Sequence, residues 1–149
     1  MANTNYYSGR KENKSFRKEK KSFGELGEEV KNKFFKDDFD ELLNMSKTTS
    51  LDKILNKIED FVKKEGSNLS TSQLRNIYDK SIKSESQNEL KMIRPNLAYI
   101  AGRSTSDGEK SLLAFIDVLI KSVKSDEQVK EFKTFFEAVV AYHKFYGKQ

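Results

Sequence analysis

From Gly24 to the end of this 149-residue chain, apolar residues recur at the three- and four-residue intervals of amphipathic helices. No stretch alternates apolar and polar residues for long enough to predict a half-buried strand. One proline and seven glycines also supply few of the turns that an all-β fold needs. The sequence therefore predicts an all-α fold, a compact bundle of five to six short amphipathic helices.

Six apolar stripes and several capping signals divide the chain into these helices. Ser50 is expected to begin the second helix and Gly66 to end it. The segment "STSQ" at residues 70–73 has the pattern of a capping box, and Ser125 with Gln128 marks the start of the last helix. In chain order the stripes cover residues 26–43, 51–62, 74–78, 90–100, 112–123 and 129–140.

Residues 1–23 have no apolar periodicity and carry seven Lys/Arg against two Glu, which equals the whole net charge of +5. This composition predicts a disordered basic tail, followed by one helical domain at residues 24–149. The tail's aromatic residues could stack on bases while its lysines meet phosphates. A solvated tail with no dedicated partner remains an equal alternative.

The residue types that are missing limit the chemistry. There is no cysteine and only one histidine, His143, so thiolate metal sites are excluded and zinc, haem or Ser/His/Asp chemistry is disfavoured. His143 falls on the apolar stripe of the last helix, which favours a structural role. We expect no cofactor and no enzymatic activity. Residues 1–22 lack an apolar segment and the longest apolar run is interrupted by Asp117, so we predict a cytoplasmic protein without a membrane contact.

The segment "KDDFDELL" concentrates four carboxylates, Asp37, Asp38, Asp40 and Glu41. A two-metal nuclease needs carboxylates that converge from different elements, whereas on one helix these four would spread across the surface. The sequence favours a solvated acidic face, with a small metal-dependent nuclease as an alternative.

Positive charge outside the tail is concentrated between residues 70 and 103, which hold six bases and three acids. Arg75, Arg94 and Arg103 are the only arginines outside the tail, in a chain that otherwise uses lysine. The planar guanidinium group is suited to binding phosphate through two parallel hydrogen bonds. These arginines are therefore candidate phosphate contacts, and ordinary ion pairing, such as Arg75 with Asp79, is the alternative.

The fourth helix would present two different flanks if it were continuous. Lys91 and Arg94 would share one flank with the small residues Ala98 and Gly102, where a nucleic-acid backbone or a neighbouring helix could come close. Tyr99 and Arg103 would share the other flank. Pro95 lacks an N–H and should kink this helix. Because Arg94 and Arg103 lie beside the apolar stripe, we expect their replacement to cost little stability.

The segments "LSTSQLRNIYDK", "MIRPNLAYIAGR" and "FFEAVVAYHKFYG" together resemble the small subunit of the type III-A CRISPR effector, the Csm complex. The resemblance covers residues 69–147, about half of the chain. It implies a small helical protein without nuclease activity, of which several copies line a ribonucleoprotein along guide and target RNA. Other subunits of such complexes carry out the chemistry.

The resemblance extends to individual residues in both basic segments and to Tyr142, His143 and Lys144 near the C-terminus. Two features depart from the family pattern: Asn96 occupies a position that usually holds a base, and the basic tail has no counterpart. With the charge argument, this gives the predicted RNA-binding residues, which are Arg75, Lys91, Arg94, Tyr99, Arg103 and Lys144.

The sequence thus predicts a non-catalytic, RNA-binding structural subunit of a CRISPR effector in antiviral defence. Its expected partners are CRISPR guide RNA, target RNA, other Csm subunits and further copies of itself. A helical protein–protein adaptor that makes no direct RNA contact is the alternative.

Overall fold

The computed structural model describes residues 21–147, and every element in this part of the chain is helical. The all-α prediction is confirmed. Of the predicted tail, residues 1–20 lie outside the described residues, while residues 21–23 lead into the first helix. The elements are α1 (Phe23–Phe34), a 3₁₀ helix (Phe39–Leu43), α2 (Leu51–Glu65), α3 (Thr71–Ile82), α4 (Gln87–Lys91), α5 (Arg94–Arg103), α6 (Asp107–Lys121) and α7 (Asp126–Tyr146).

Serine side chains begin most of these helices. The predicted capping box is present, because Ser70 Oγ accepts a hydrogen bond from Gln73 N at 3.1 Å and the Gln73 side chain returns to the Ser70 backbone. Ser125 caps α7 in the predicted way, through Gln128 N at 3.1 Å. Ser50 occupies the N-cap of α2, although its side chain makes no capping bond. The same serine cap also begins α1, α4 and α6, at Ser22, Ser86 and Ser106.

Two of the predicted stripes are each divided between two elements. The first stripe becomes α1 and the 3₁₀ helix, and the turn between them buries the adjacent rings of Phe34 and Phe35, which one straight helix could not both direct inward. The fourth stripe divides into α4 and α5 just before Pro95, which cannot donate the backbone hydrogen bond of a continuous helix. The sequence predicts one helix with a kink at Pro95, whereas the structure has two separate helices, one ending at Lys91 and the other beginning at Arg94.

Helix α6 lies at the centre of the bundle. Residues 112–120 are all buried, with α1 and α5 packed on one part of α6 and α2 on another, while α7 packs on α2, α3 and the 3₁₀ helix. Phe115 of α6 stacks on Phe35 at a ring-centroid distance of 4.8 Å. Gly27 allows α1 to approach α6 closely, since a Cβ there would lie 2.5 Å from the Ala114 carbonyl oxygen. Within residues 21–147, none of the helices combines the length and apolarity needed to cross a membrane.

Candidate nucleic-acid interface

The basic residues of the two halves of the chain differ in how they are paired. Between residues 21 and 69, seven of the nine lysines form salt bridges. Among the lysines and arginines between residues 70 and 133, only Arg94 forms a salt bridge with another described residue. Ten of the eleven bases between residues 70 and 133 therefore have no salt bridge with another described residue. Cations without a carboxylate partner keep their full attraction for phosphate.

Arg75 of α3 and Lys144 of α7 are far apart in sequence but line one groove between these helices, together with Tyr78 and Glu137. Arg75 is exposed, and within the described residues it forms no salt bridge with Asp79. The ion-pairing alternative for Arg75 is thus not what the structure shows. The groove brings together two of the predicted RNA-binding residues that the sequence could relate only through the family resemblance.

Tyr99 and Arg103 form a second cationic surface on α5. The Arg103 guanidinium lies 5.7 Å from the centre of the Tyr99 ring, and Arg103 Nη1 is 3.5 Å from the Tyr99 hydroxyl. Tyr99 as a residue is 63% exposed, so its side chain is accessible from solvent. Gln73 lies beside this pair across a small depression. An exposed aromatic ring next to a guanidinium is an arrangement that suits a single-stranded nucleic acid.

Arg94 is the predicted site arginine whose guanidinium forms a salt bridge with a described carboxylate. Its Nε donates to Asp117 Oδ1 at 2.8 Å, and its Nη2 lies 3.5 Å from Asp117 Oδ2. The Asp117 side chain is only 7% exposed, whereas that of Arg94 is 36% exposed. The expectation that replacing Arg94 costs little stability is therefore wrong, since the replacement would leave a buried carboxylate without its partner.

The small residues of α5 face another helix of the same chain. Ala98 and Gly102 line a cleft with the beginning of α1, including Ser22 and Phe23. The cleft is not filled, because a Cβ on Gly102 would meet no atom within 4 Å.

Asn96 takes the position that holds a base in the family pattern. Its side-chain nitrogen is buried and has no hydrogen-bond partner among the described residues. The amide therefore offers no surface donor in place of the missing base.

Two of the residues considered for catalysis, Asp38 and His143, have structural partners. Asp38 is buried and forms ion pairs with Lys57 and, at 3.6 Å, with Lys53. The hydrogen bond and charge of Lys57 hold the pKa of Asp38 below its ordinary value. Asp38 thus departs from the predicted solvated face, while Asp37 and Asp40 are exposed. His143 is buried with Nε2 2.7 Å from the Leu69 carbonyl oxygen, which confirms its structural role.

The sequence reasoning did not identify Asp117 and Lys121 as site residues, although both line the groove that contains Lys91 and Arg94. A signal for Asp117 was present, since it is the one charged residue in the apolar run at residues 112–120. A buried carboxylate needs a cation nearby. Periodicity alone could not say which cation this would be.

The comparisons with known proteins agree with the resemblance of the basic segments. A family model described as Csm2 Type III-A matches residues 45–149, which is more than half of the chain. The CRISPR system Cms protein Csm2 from Streptococcus thermophilus is 34% identical over 89 residues, covering 53% of this chain and 74% of that protein. No solved structure matches the chain. The chain therefore belongs to the Csm2 family of type III-A CRISPR systems, the small-subunit family that its arginine-bearing segments resemble.

Proposed function

We propose that this protein is a non-catalytic structural subunit that holds the backbone of guide or target RNA within a cytoplasmic type III-A effector complex. The bases between residues 70 and 133 carry this proposal, because all of them except Arg94 lack a salt bridge with another described residue. Sequence specificity would come from pairing between guide and target, and the protein would contact phosphates without reading bases.

Three groups of residues would make these contacts. Arg75 and Lys144 form the groove between α3 and α7, Tyr99 and Arg103 form the exposed pair on α5, and Lys91 with Arg94 lines the groove beside α6. The second and third groups share α5, and the first lies on α3 and α7, so the proposed RNA path follows more than one helix. Further copies of the protein and other Csm subunits would extend this path along the RNA.

The absence of catalysis is also part of the proposal. Asp38 is occupied by two lysines and His143 is held by a backbone carbonyl, so neither is placed to act as a metal ligand or a general base. Incubation of the purified chain with RNA and Mg²⁺ or Mn²⁺ is expected to give no cleavage. Cleavage that disappears in Asp38→Ala would contradict this.

The test of RNA binding uses the protein assembled with the other complex subunits and guide RNA. The variant Arg75→Ala/Arg103→Ala should retain less RNA, by a similar factor for every sequence, because phosphate contacts carry no base information. Each lost contact should flatten the slope of log affinity against log salt by about 0.7 for a single strand. The matched control is Lys36→Ala/Lys47→Ala, which removes the same charge from the N-terminal half and should leave RNA retention unchanged.

The adaptor alternative has its own support, since Met92 and Phe145 are 77% and 80% exposed and could pack against protein partners. The same experiment separates the two functions. An adaptor would assemble with the other subunits and retain wild-type amounts of RNA when Arg75 and Arg103 are replaced. That result would remove Arg75 and Arg103 from the RNA-binding assignment.

A further inference from the structure

Asp117 is a carboxylate within one of the most apolar segments of the molecule. It lies in α6 among residues 112–120, all of which are buried. Burying a carboxylate costs several kcal/mol unless a cation and hydrogen bonds compensate. Arg94 supplies the only salt bridge of Asp117 within the described chain, from a position 23 residues earlier. The fold therefore maintains a buried carboxylate whose salt-bridge partner is a predicted RNA-binding residue.

The geometry of this pair leaves part of the guanidinium group available. Asp117 contacts the edge formed by Nε and Nη2, at 2.8 Å and 3.5 Å. A guanidinium has five N–H donors in one plane, so both donors of Nη1 and one of Nη2 are left over. Because two atoms of Arg94 are held, the direction of the remaining donors is fixed. A free arginine side chain would have to lose rotamer freedom when it binds phosphate.

Two further cations line the same groove as Arg94. Lys91 ends α4, Arg94 begins α5 and Lys121 ends α6, and all three line the same groove. Neither lysine forms a salt bridge with another described residue. Three cations from three helices thus line one groove.

The opposite wall, formed by α1, carries Glu25, Glu28 and Glu29. Glu29 pairs with Lys21, Glu28 with Lys31 at 3.8 Å, and Glu25 belongs to the capping box of α1. These carboxylates repel a phosphate, so an RNA strand in this groove is confined to the side of α4, α5 and α6. Only the wall that contains Arg94 is suited to an anion.

We infer that Asp117 is a positioning residue, which orients the Arg94 guanidinium so that Arg94, Lys91 and Lys121 form one subsite for an RNA phosphodiester. This inference rests on the proposed function, and it adds a carboxylate that improves the binding of a polyanion. It makes a prediction that is opposite to the one from charge alone. Removing a negative charge near a phosphate site should normally tighten binding.

The experiment compares two variants that each remove one negative charge from this groove, in the assembled complex. Asp117→Asn should weaken RNA retention about tenfold, the size of one lost charged hydrogen bond, because Arg94 is no longer oriented. Glu28→Gln, on the opposite wall, should leave retention equal or make it tighter. If Asp117→Asn instead behaves like Glu28→Gln, Asp117 does not position Arg94 and the inference fails.

If Asp117→Asn does not fold, a second variant tests the inference instead. Replacing both partners by apolar residues, in Arg94→Met/Asp117→Leu, should preserve the fold, since a buried ion pair can often be exchanged for packing residues. Its RNA retention should fall and its salt slope should flatten by about 0.7. Wild-type retention by this folded variant would make the pair purely structural and overturn the inference.

The variant Arg75→Ala/Arg103→Ala shows whether a negative result concerns only the Asp117 subsite or the proposed RNA binding as a whole. Loss of RNA in that variant, with normal retention in the Asp117 variants, removes only the subsite. Normal retention in every variant removes RNA binding itself.

Discussion

At the scale of single residues, the clearest feature is that two buried carboxylates each lie against cations. Asp117 has Arg94, and Asp38 has Lys57 and Lys53. The pKa of Asp38 is lowered in the folded protein, chiefly by its hydrogen bond with Lys57. The ionised carboxylate is therefore more stable in the folded protein than in the unfolded chain. This stabilisation is complete above the unfolded pKa of about 3.9 and is lost as the pH falls through the lower folded pKa.

We therefore expect Asp38→Asn to lower the free energy of unfolding by roughly 1–3 kcal/mol at neutral pH. The difference from the wild type should stay constant between about pH 5 and 8 and should narrow below about pH 4. Urea denaturation of both proteins at a series of pH values measures this difference in the free energy of unfolding. Asp37→Asn, at the exposed neighbouring position, is the control and should change little. A difference at pH 3 as large as that at pH 7 would show that the ion pair is not its source.

At the scale of elements, the packing of α1 on α6 depends on a missing side chain. A Cβ on Gly27 would lie 2.3 Å from Val118 Cγ2 and 2.5 Å from the Ala114 carbonyl oxygen. The backbone oxygen cannot move aside in the way that a flexible side chain can. The separation of the two helices is thus set at this residue.

Gly27→Ala should destabilise the fold by about 1–3 kcal/mol, because α1 must shift outward from α6. Gly24→Ala is the matched control on the same helix, since a Cβ there would meet no atom within 4 Å. The control should be neutral or slightly more stable, because alanine favours the helix. Denaturation midpoints of the two variants compare them directly. If Gly27→Ala and Gly24→Ala were equally stable, the close contact at Gly27 would not determine the distance between α1 and α6.

The presence of the helices and the positions of their N-caps could be predicted from the sequence, because both depend on local residue patterns. The capping box at Ser70 and the cap at Ser125 follow from short-range hydrogen bonds that the sequence specifies. The Arg94–Asp117 pair was not predictable, since periodicity shows which face of a helix is buried but not which residue of another helix it meets. For the same reason the Arg75–Lys144 groove needed the structure, whereas the neighbours Tyr99 and Arg103 were visible as an i, i+4 pair.

At the scale of the whole molecule, charge is arranged in three regions. Residues 1–20 carry six of the bases and two acids, the lysines of residues 21–69 are mostly paired with carboxylates, and the bases of residues 70–133 are mostly unpaired. The first and third regions are thus the ones that can attract a polyanion. Truncation of residues 1–20 separates the contribution of the first region to RNA binding from that of the third.

Deletion of residues 1–20 should weaken binding to non-specific RNA at low salt while leaving the thermal transition unchanged, because it removes positive charge and no apolar stripe. Deletion of residues 1–23 should additionally cost about 1 kcal/mol of stability, since it removes the Ser22 cap of α1. Thermal melts and RNA titrations of both deletions measure these effects. Unchanged RNA affinity would show that the tail is not a nucleic-acid arm.

The close approach of α1 to α6 also bears on how fragments of this protein would behave. The region that matches the family begins at residue 45, after both α1 and the 3₁₀ helix. A fragment that started there would expose the side of α6 around Ala114 and Val118, which α1 covers in the full chain. Such an uncovered apolar surface promotes aggregation. The stretch by which the chain is recognised as a relative is therefore shorter than the stretch that must be expressed to obtain a well-behaved protein.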